Sequence, residues 1–242
     1  MNRIPCVCFL IVSALLLAQP AMSQAKVAPD GAVGVNAAWE AGKSAQWFIE
    51  EQRCGADYID LGLKREDPNL INQGISIFHW GWTHQAPDGS FPGTGDPFHS
   101  VSLFIEAAAR ATIELKNHKF AFPMAGQAAI YNVVASNIQR IKLSAAWLTR
   151  SDIAKQGQQY DSPYTHRRYI LGAALSETAY LTGDAGAASA ADNYIANGLS
   201  LQLGAGWTAA FLPPVNGVTP PAGLVAPAAM RMILSLCSPL PT

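Results

Sequence analysis

Apolar residues recur at helical spacing in long blocks, and polar stretches rich in glycine and proline separate the blocks. The pattern predicts about seven helices. They cover Asn36–Arg53, Pro68–Trp82, Pro97–Asn117, Gly126–Trp147, Pro163–Leu181, Ala185–Trp207 and about Leu224–Leu236. Strand signals are almost absent, since Asn216-Gly217 sits in a proline-rich loop and not between alternating apolar runs. The predicted fold class is therefore all-α.

One layout recurs. A helix ends near a tryptophan, a polar loop follows, and a new helix opens with a cap residue and proline. The three instances run from Trp82 to Asp96-Pro97, from Trp147 to Ser162-Pro163 and from Trp207 to Thr219-Pro220. Asp, Ser or Thr before the helix can accept a hydrogen bond from an orphan backbone N–H. Proline in the first turn loses only a donor that had no partner. Two of the following helices also align without gaps, Pro97–Leu115 over Pro163–Leu181. Phe98 then matches Tyr164, Ala107-Ala108 match Ala173-Ala174, Thr112 matches Thr178 and Leu115 matches Leu181. A period of about 60 residues with two helices per unit predicts antiparallel helical hairpins stacked side by side. Alternating helix direction gathers the long loops on one face. The opposite face keeps shorter turns such as Thr182-Gly183-Asp184. Function tends to sit where long loops gather on a rigid scaffold.

Composition narrows the class. Half of the 242 residues are hydrophobic and the net charge is −1, which excludes a disordered chain. Sixteen basic residues face seventeen acidic ones, so no electrostatic grip on nucleic acid or an anionic membrane is expected. Arg3, the apolar block Cys6–Ala18 and the small residues Ser23-Gln24-Ala25 form the pattern of a secretory signal. The apolar block is shorter than the ~20 residues a spanning helix needs. Residues 1–25 are read as a signal peptide and residues 26–242 as one helical domain, soluble in the periplasm or secreted. Of four cysteines, Cys54 and Cys237 lie outside the signal, and an exported chain makes them a candidate disulfide. Cys54 is expected to follow the first helix and Cys237 to end the last. Both would lie opposite the long loops, and a bond would clasp first hairpin to last. Closing so long a loop stabilises by roughly 5 kcal/mol at most.

Two stretches, WGWTHQAPDGSFPGTGDPFHSVSLFIEAAARA (Trp80–Ala111) and SPYTHRRYILGAALSETAYLTGD (Ser162–Asp184), resemble the α/α-toroid proteins of the six-hairpin glycosidase and alginate-lyase-like group. The turn from Gln85 through Asp88-Gly89-Ser90-Phe91 is similar to one that recurs in toroids. The resemblance implies an α/α toroid or open arc of hairpins. This chain departs from the group in having fewer hairpins than six. Toroids host many activities, so the likeness speaks to architecture more than to chemistry.

Candidate chemistry gathers at the long loops. His84, Asp88, His99, Tyr164 and His166 are the candidate catalytic residues, and Trp82, Gln85, Asp96, Tyr160, Arg167 and Arg168 the candidate substrate-binding ones. Tyr and His can exchange protons, carboxylates can serve as acid and base, and Arg can hold a carboxylate in bidentate fashion. Each residue also has a plainer role. Asp88 can make an Asp-Gly turn, Asp96 can cap its helix, Trp82 can be core, and Glu106 with Arg110 can form an i,i+4 pair. His79 reads as core or neck. No metal site and no cofactor are expected, because HExxH, CxxC, GxSxG and phosphate-loop motifs are all missing. Two functions follow as expectations. One is an exported enzyme that cleaves a polysaccharide, either by β-elimination or by hydrolysis between Asp88 and Asp96. For hydrolysis, a carboxylate separation of roughly 5 Å would mean retention and about 6.5–9.5 Å inversion. The other is a non-catalytic periplasmic glycan-binding or assembly protein.

Overall fold

The computed structural model describes residues 27–35, 42, 47–121, 124–161 and 164–205. The predicted signal peptide, Trp207, the helix at Leu224–Leu236 and Cys237 lie outside the described residues. Among the described residues, seven α-helices follow a 3₁₀ turn at Ile49–Arg53. They are α1 (Cys54–Arg65), α2 (Pro68–Thr83), α3 (Pro97–Asn117), α4 (Met124–Thr149), α5 (Ser151–Asp161), α6 (Thr165–Thr182) and α7 (Ala185–Ala205). Strand pairing among the described residues is confined to two isolated bridges, Val27 with Val33 and Trp47 with Thr94. The chain is all-α, and none of the described helices is long and apolar enough to cross a membrane.

Consecutive helices form three antiparallel hairpins. In α1–α2, Gly55 faces Gly74 and Gly62 faces Ile71. A Cβ on Gly55 would come within 3.0 Å of the Gly74 carbonyl oxygen, so the paired glycines let the two backbones touch. Asp67 starts α2 by accepting from the Asn69 N–H at 2.9 Å, with Pro68 in the first turn. In α3–α4, Asn137 Nδ2 donates to Thr112 Oγ1 at 3.3 Å. In α6–α7, Gly172 packs on Ile195 and Gly198 on Tyr169.

The three opening helices run in parallel. Glu50 and Arg53, just before α1, meet Ser100 and His99 at the start of α3. His99 meets His166 at the start of α6, and Lys116 reaches the Tyr180 ring near the other ends. Positions matched between the two aligned helices play matching parts. Thr112 and Thr178 are buried, and each donates its hydroxyl to the carbonyl four residues back, at 2.6 and 2.7 Å. Leu115 and Leu181 are also both buried, whereas Phe98 is buried and its counterpart Tyr164 exposed. The α3 helix is the hub, packing against α1, α4, α6 and the 3₁₀ turn. Its Phe104 sits among Phe78, Trp82 and Phe91, with ring centroids 4.6–5.8 Å away. The described helices do not establish a closed ring.

Two predicted elements need correction. Between Asn36 and Arg53 the described residues include an extended Phe48 and the 3₁₀ turn, and the first described α-helix begins at Cys54. Gly55, in its first turn, makes room for α2. Cys54 therefore opens α1 on the long-loop side and does not follow a helix on the opposite side. Its thiol is free among the described residues. The stretch after Trp147, expected as a loop, contains α5. Its sparse apolar positions, Ile153 and Gly157, spaced i,i+4, face Phe98 and Trp147.

Candidate functional site

The parallel starts of α3 and α6 bring one group of the predicted residues together. Asp96 stands at the cap position of α3 in the left-handed region, φ 39°, and makes no side-chain cap bond. Its carboxylate instead accepts from Arg167 Nη1 at 2.7 Å. Holding a non-glycine residue there costs energy, and the surrounding loop fixes it. Gly95 N–H donates to the Trp47 carbonyl at 2.8 Å, and Ser100 Oγ bonds both the Gly95 carbonyl and Glu50 Oε2 at 2.9 Å. One turn on, the His99 and His166 rings meet edge to face with centroids 6.1 Å apart. Tyr164 lies 5.8 Å from His166, and the Arg167 guanidinium is 5.2 Å from the Tyr164 ring.

This end of the molecule keeps its imidazoles neutral. Burial, helped by the positive charge of Arg167, pushes His99 down to about 4. Burial and Arg167 also lower His166. Helix starts carry positive partial charge, which acts in the same direction. His99 Nδ1 is buried without a hydrogen-bond partner. A neutral imidazole at neutral pH can accept a proton.

A cavity of about 350 Å³ adjoins the group, lined by Asp96, Pro97, Phe98, Trp147, Ile153, Gln156 and Gly157. Helix α3 supplies its carboxylate side, the end of α4 its indole, and α5 its remaining wall. That size falls at the lower end of small-molecule sites. Its walls are mostly apolar, with one carboxylate and one amide.

The remaining predicted residues have other surroundings. His84 ends α2 and packs on Trp80 and Trp47, centroids 4.1 and 5.3 Å away, with Nδ1 2.9 Å from the Trp80 carbonyl oxygen. Gln85 Nε2 donates to the Arg140 carbonyl and Ser144 Oγ, both at 2.8 Å, and so pins the loop to α4. Asp88 makes the turn expected of Asp-Gly, accepting from Ser90 N–H at 3.0 Å and Ser90 Oγ at 2.6 Å. Those bonds, with Arg150 nearby, hold its carboxyl below the usual carboxylate range. Trp82 is buried in the aromatic core, and its indole N–H has no hydrogen-bond partner there. Arg168 Nε donates to Asn197 Oδ1 at 2.6 Å, tying α6 to α7. Tyr160 falls within α5, its side chain outside what is described. His79, expected in the core or neck, is exposed on α2.

Ile153 and Gln156, from the helix read as a loop, escaped sequence reasoning; Trp147, which joins them, reads from the sequence as core more often than as a sugar platform. Among the described residues no group of three His, Cys, Asp or Glu has the geometry to hold a metal ion. No family model matches the chain, and no curated protein or solved structure shows significant similarity to it.

Proposed function

We propose that the chain is an exported carbohydrate-active protein of the α/α-hairpin type, taking a saccharide into the cavity beside Asp96 and Trp147. The cavity itself carries this reading: it sets an indole and a phenyl ring against a carboxylate and an amide. Sugars offer apolar C–H faces and paired hydroxyls. Aromatic rings take the first, while carboxylate or amide oxygens accept hydrogen bonds from the second. Cleavage would proceed by elimination, with His99 the proton acceptor and Tyr164 beside His166 the donor to the leaving oxygen. The unpartnered Nδ1 of His99 supports that assignment. Hydrolysis between Asp88 and Asp96 gains no support. Asp88 is bonded to Ser90 and lies beside Arg150, and Asp96 is paired with Arg167, so neither carboxyl stands ready as the acid that protonates a leaving group.

A second reading is a non-catalytic glycan binder. The pairing of Asp96 with Arg167 favours it, because both charges are engaged with each other. One experiment separates the two. Wild type, His99→Gln and Tyr164→Phe are incubated with neutral and acidic polysaccharides, following new reducing ends, the ultraviolet absorbance of unsaturated products and binding heat. Unsaturated product from wild type alone supports elimination. Binding by all three without product supports the binder. Neither binding nor product with any polysaccharide overturns the carbohydrate reading.

A further inference from the structure

The other end of the α3–α6 contact holds charges that the proposed function does not use. Glu106, Arg110 and Glu114 of α3 meet Glu177 of α6. Arg110 Nε donates to Glu106 Oε1 at 3.0 Å, the two side chains being only 31% and 18% exposed. That guanidinium acts on all three carboxyl groups. Oε2 of Glu114 and Oε2 of Glu177 are both sealed from solvent and accept no hydrogen bond. A buried carboxylate oxygen without a donor is costly as an anion and tolerable as an acid.

We propose that the α3–α6 seam is a proton-operated latch: one proton on Glu177 holds the α6–α7 hairpin against α3, and its loss loosens the hairpin. The choice of Glu177 follows from its neighbours. Glu106 already has Arg110. Glu114 also feels Asp60 and Lys64 of α1, which are bonded to each other and oppose one another in their effect on it, whereas among the described residues Glu177 has no cation other than Arg110 acting on it. Besides burial, the charges acting on Glu177 are Glu106, Arg110 and Glu114, all on α3. Burial first, and then the negative Glu106, push its carboxyl up to about 9. Glu114 is raised by burial as well.

The direction of the switch follows from linkage. Below the ordinary carboxyl range Glu177 is protonated in both folded and opened states, and the seam is fully stable. Between that range and about 9 the closed state holds a proton that the opened state has released. The closed-to-open ratio therefore falls about tenfold per pH unit across this window, and levels off above it. Because α6 also carries His166 and Arg167, opening the seam disturbs the half of the site that α6 provides.

The test uses the full chain and reads the seam directly, independent of any saccharide. Amide hydrogen exchange in α6 and α7, corrected for the intrinsic effect of pH, is followed from pH 6 to about 10. Wild-type protection is expected to fall steeply as pH rises. In Glu177→Gln, which keeps the shape and removes the ionisation, it is expected to stay flat. Parallel loss in both proteins overturns the latch. A glutamate-¹³C titration of the wild type stands on its own should the variant fail to fold. One glutamate carboxyl titrating near 9 supports the proposal, and all of them titrating in the ordinary range overturns it.

Discussion

The two ends of the α3–α6 contact solve the burial of charge in opposite ways. At the helix starts, Asp96 and Arg167 cancel one for one, and the two imidazoles beside them are kept neutral. Toward the middle, three carboxyls share Arg110. At the first end burial removes protons from bases; at the second it retains a proton on an acid. Each is the same desolvation acting on groups of opposite charge. The balanced end leaves room for a cavity, and the unbalanced end has its charges packed into a seam.

The contrast is broken most severely at Arg110. Arg110→Met would leave the half-buried Glu106 without its ion-pair partner and is expected to destabilise by about 3 kcal/mol in chemical denaturation. Gly157→Ala should follow at about 2 kcal/mol. A methyl there runs into the Phe98 ring, so weaker saccharide binding should accompany the loss of stability. Arg167→Met removes half of a balanced pair and should cost about 1 kcal/mol, since Asp96 is 35% exposed. A cost equal to that of Arg110→Met would erase the distinction between the two ends.

Titration sharpens the contrast further. Folding keeps His99 neutral down to about 4. Between the ordinary histidine value and that point, the unfolded chain binds a proton that the folded chain does not. Stability therefore falls as pH drops through this window, by about half of the ~1.4 kcal/mol per unit of an unscreened group, since solvent reaches part of the ring. Thermal melting of His99→Gln should show a flatter acid limb, with the alkaline limb unchanged. Arg150→Ala is the smallest expected effect. Its bonds to Asp88 and Asp152 are exposed, and the melting temperature should not move measurably.

Much of the helical frame was legible. Cap-like residues, prolines and apolar periodicity gave α2, α3, α4, α6 and α7 close to their observed bounds. His99 and His166 also read, each of them, as lying in the first turn of a helix that starts on the long-loop face, where the structure brings their rings together. What stayed hidden depends on tertiary partners. Gly55 at the start of α1 matters only through the opposing Gly74, a contact that local sequence does not display. Polar α5 reads as a loop, because its few apolar positions gain value only against Phe98 and Trp147. Asp96 reads as a cap, yet its carboxylate goes to Arg167 across the hairpins. Glu177 drew no notice, since nothing within α6 marks it as buried.

The central claim is that ligand chemistry belongs to the helix-start end, at the cavity between α3, α4 and α5. Its most direct test is an NMR titration of the indole and imidazole resonances of the full chain with oligosaccharides, neutral and acidic. The account predicts that Trp147 and His99 shift together on saturable addition of one of them, while Trp82 in the aromatic core stays still. Saturable binding that leaves Trp147 and His99 unmoved would contradict it.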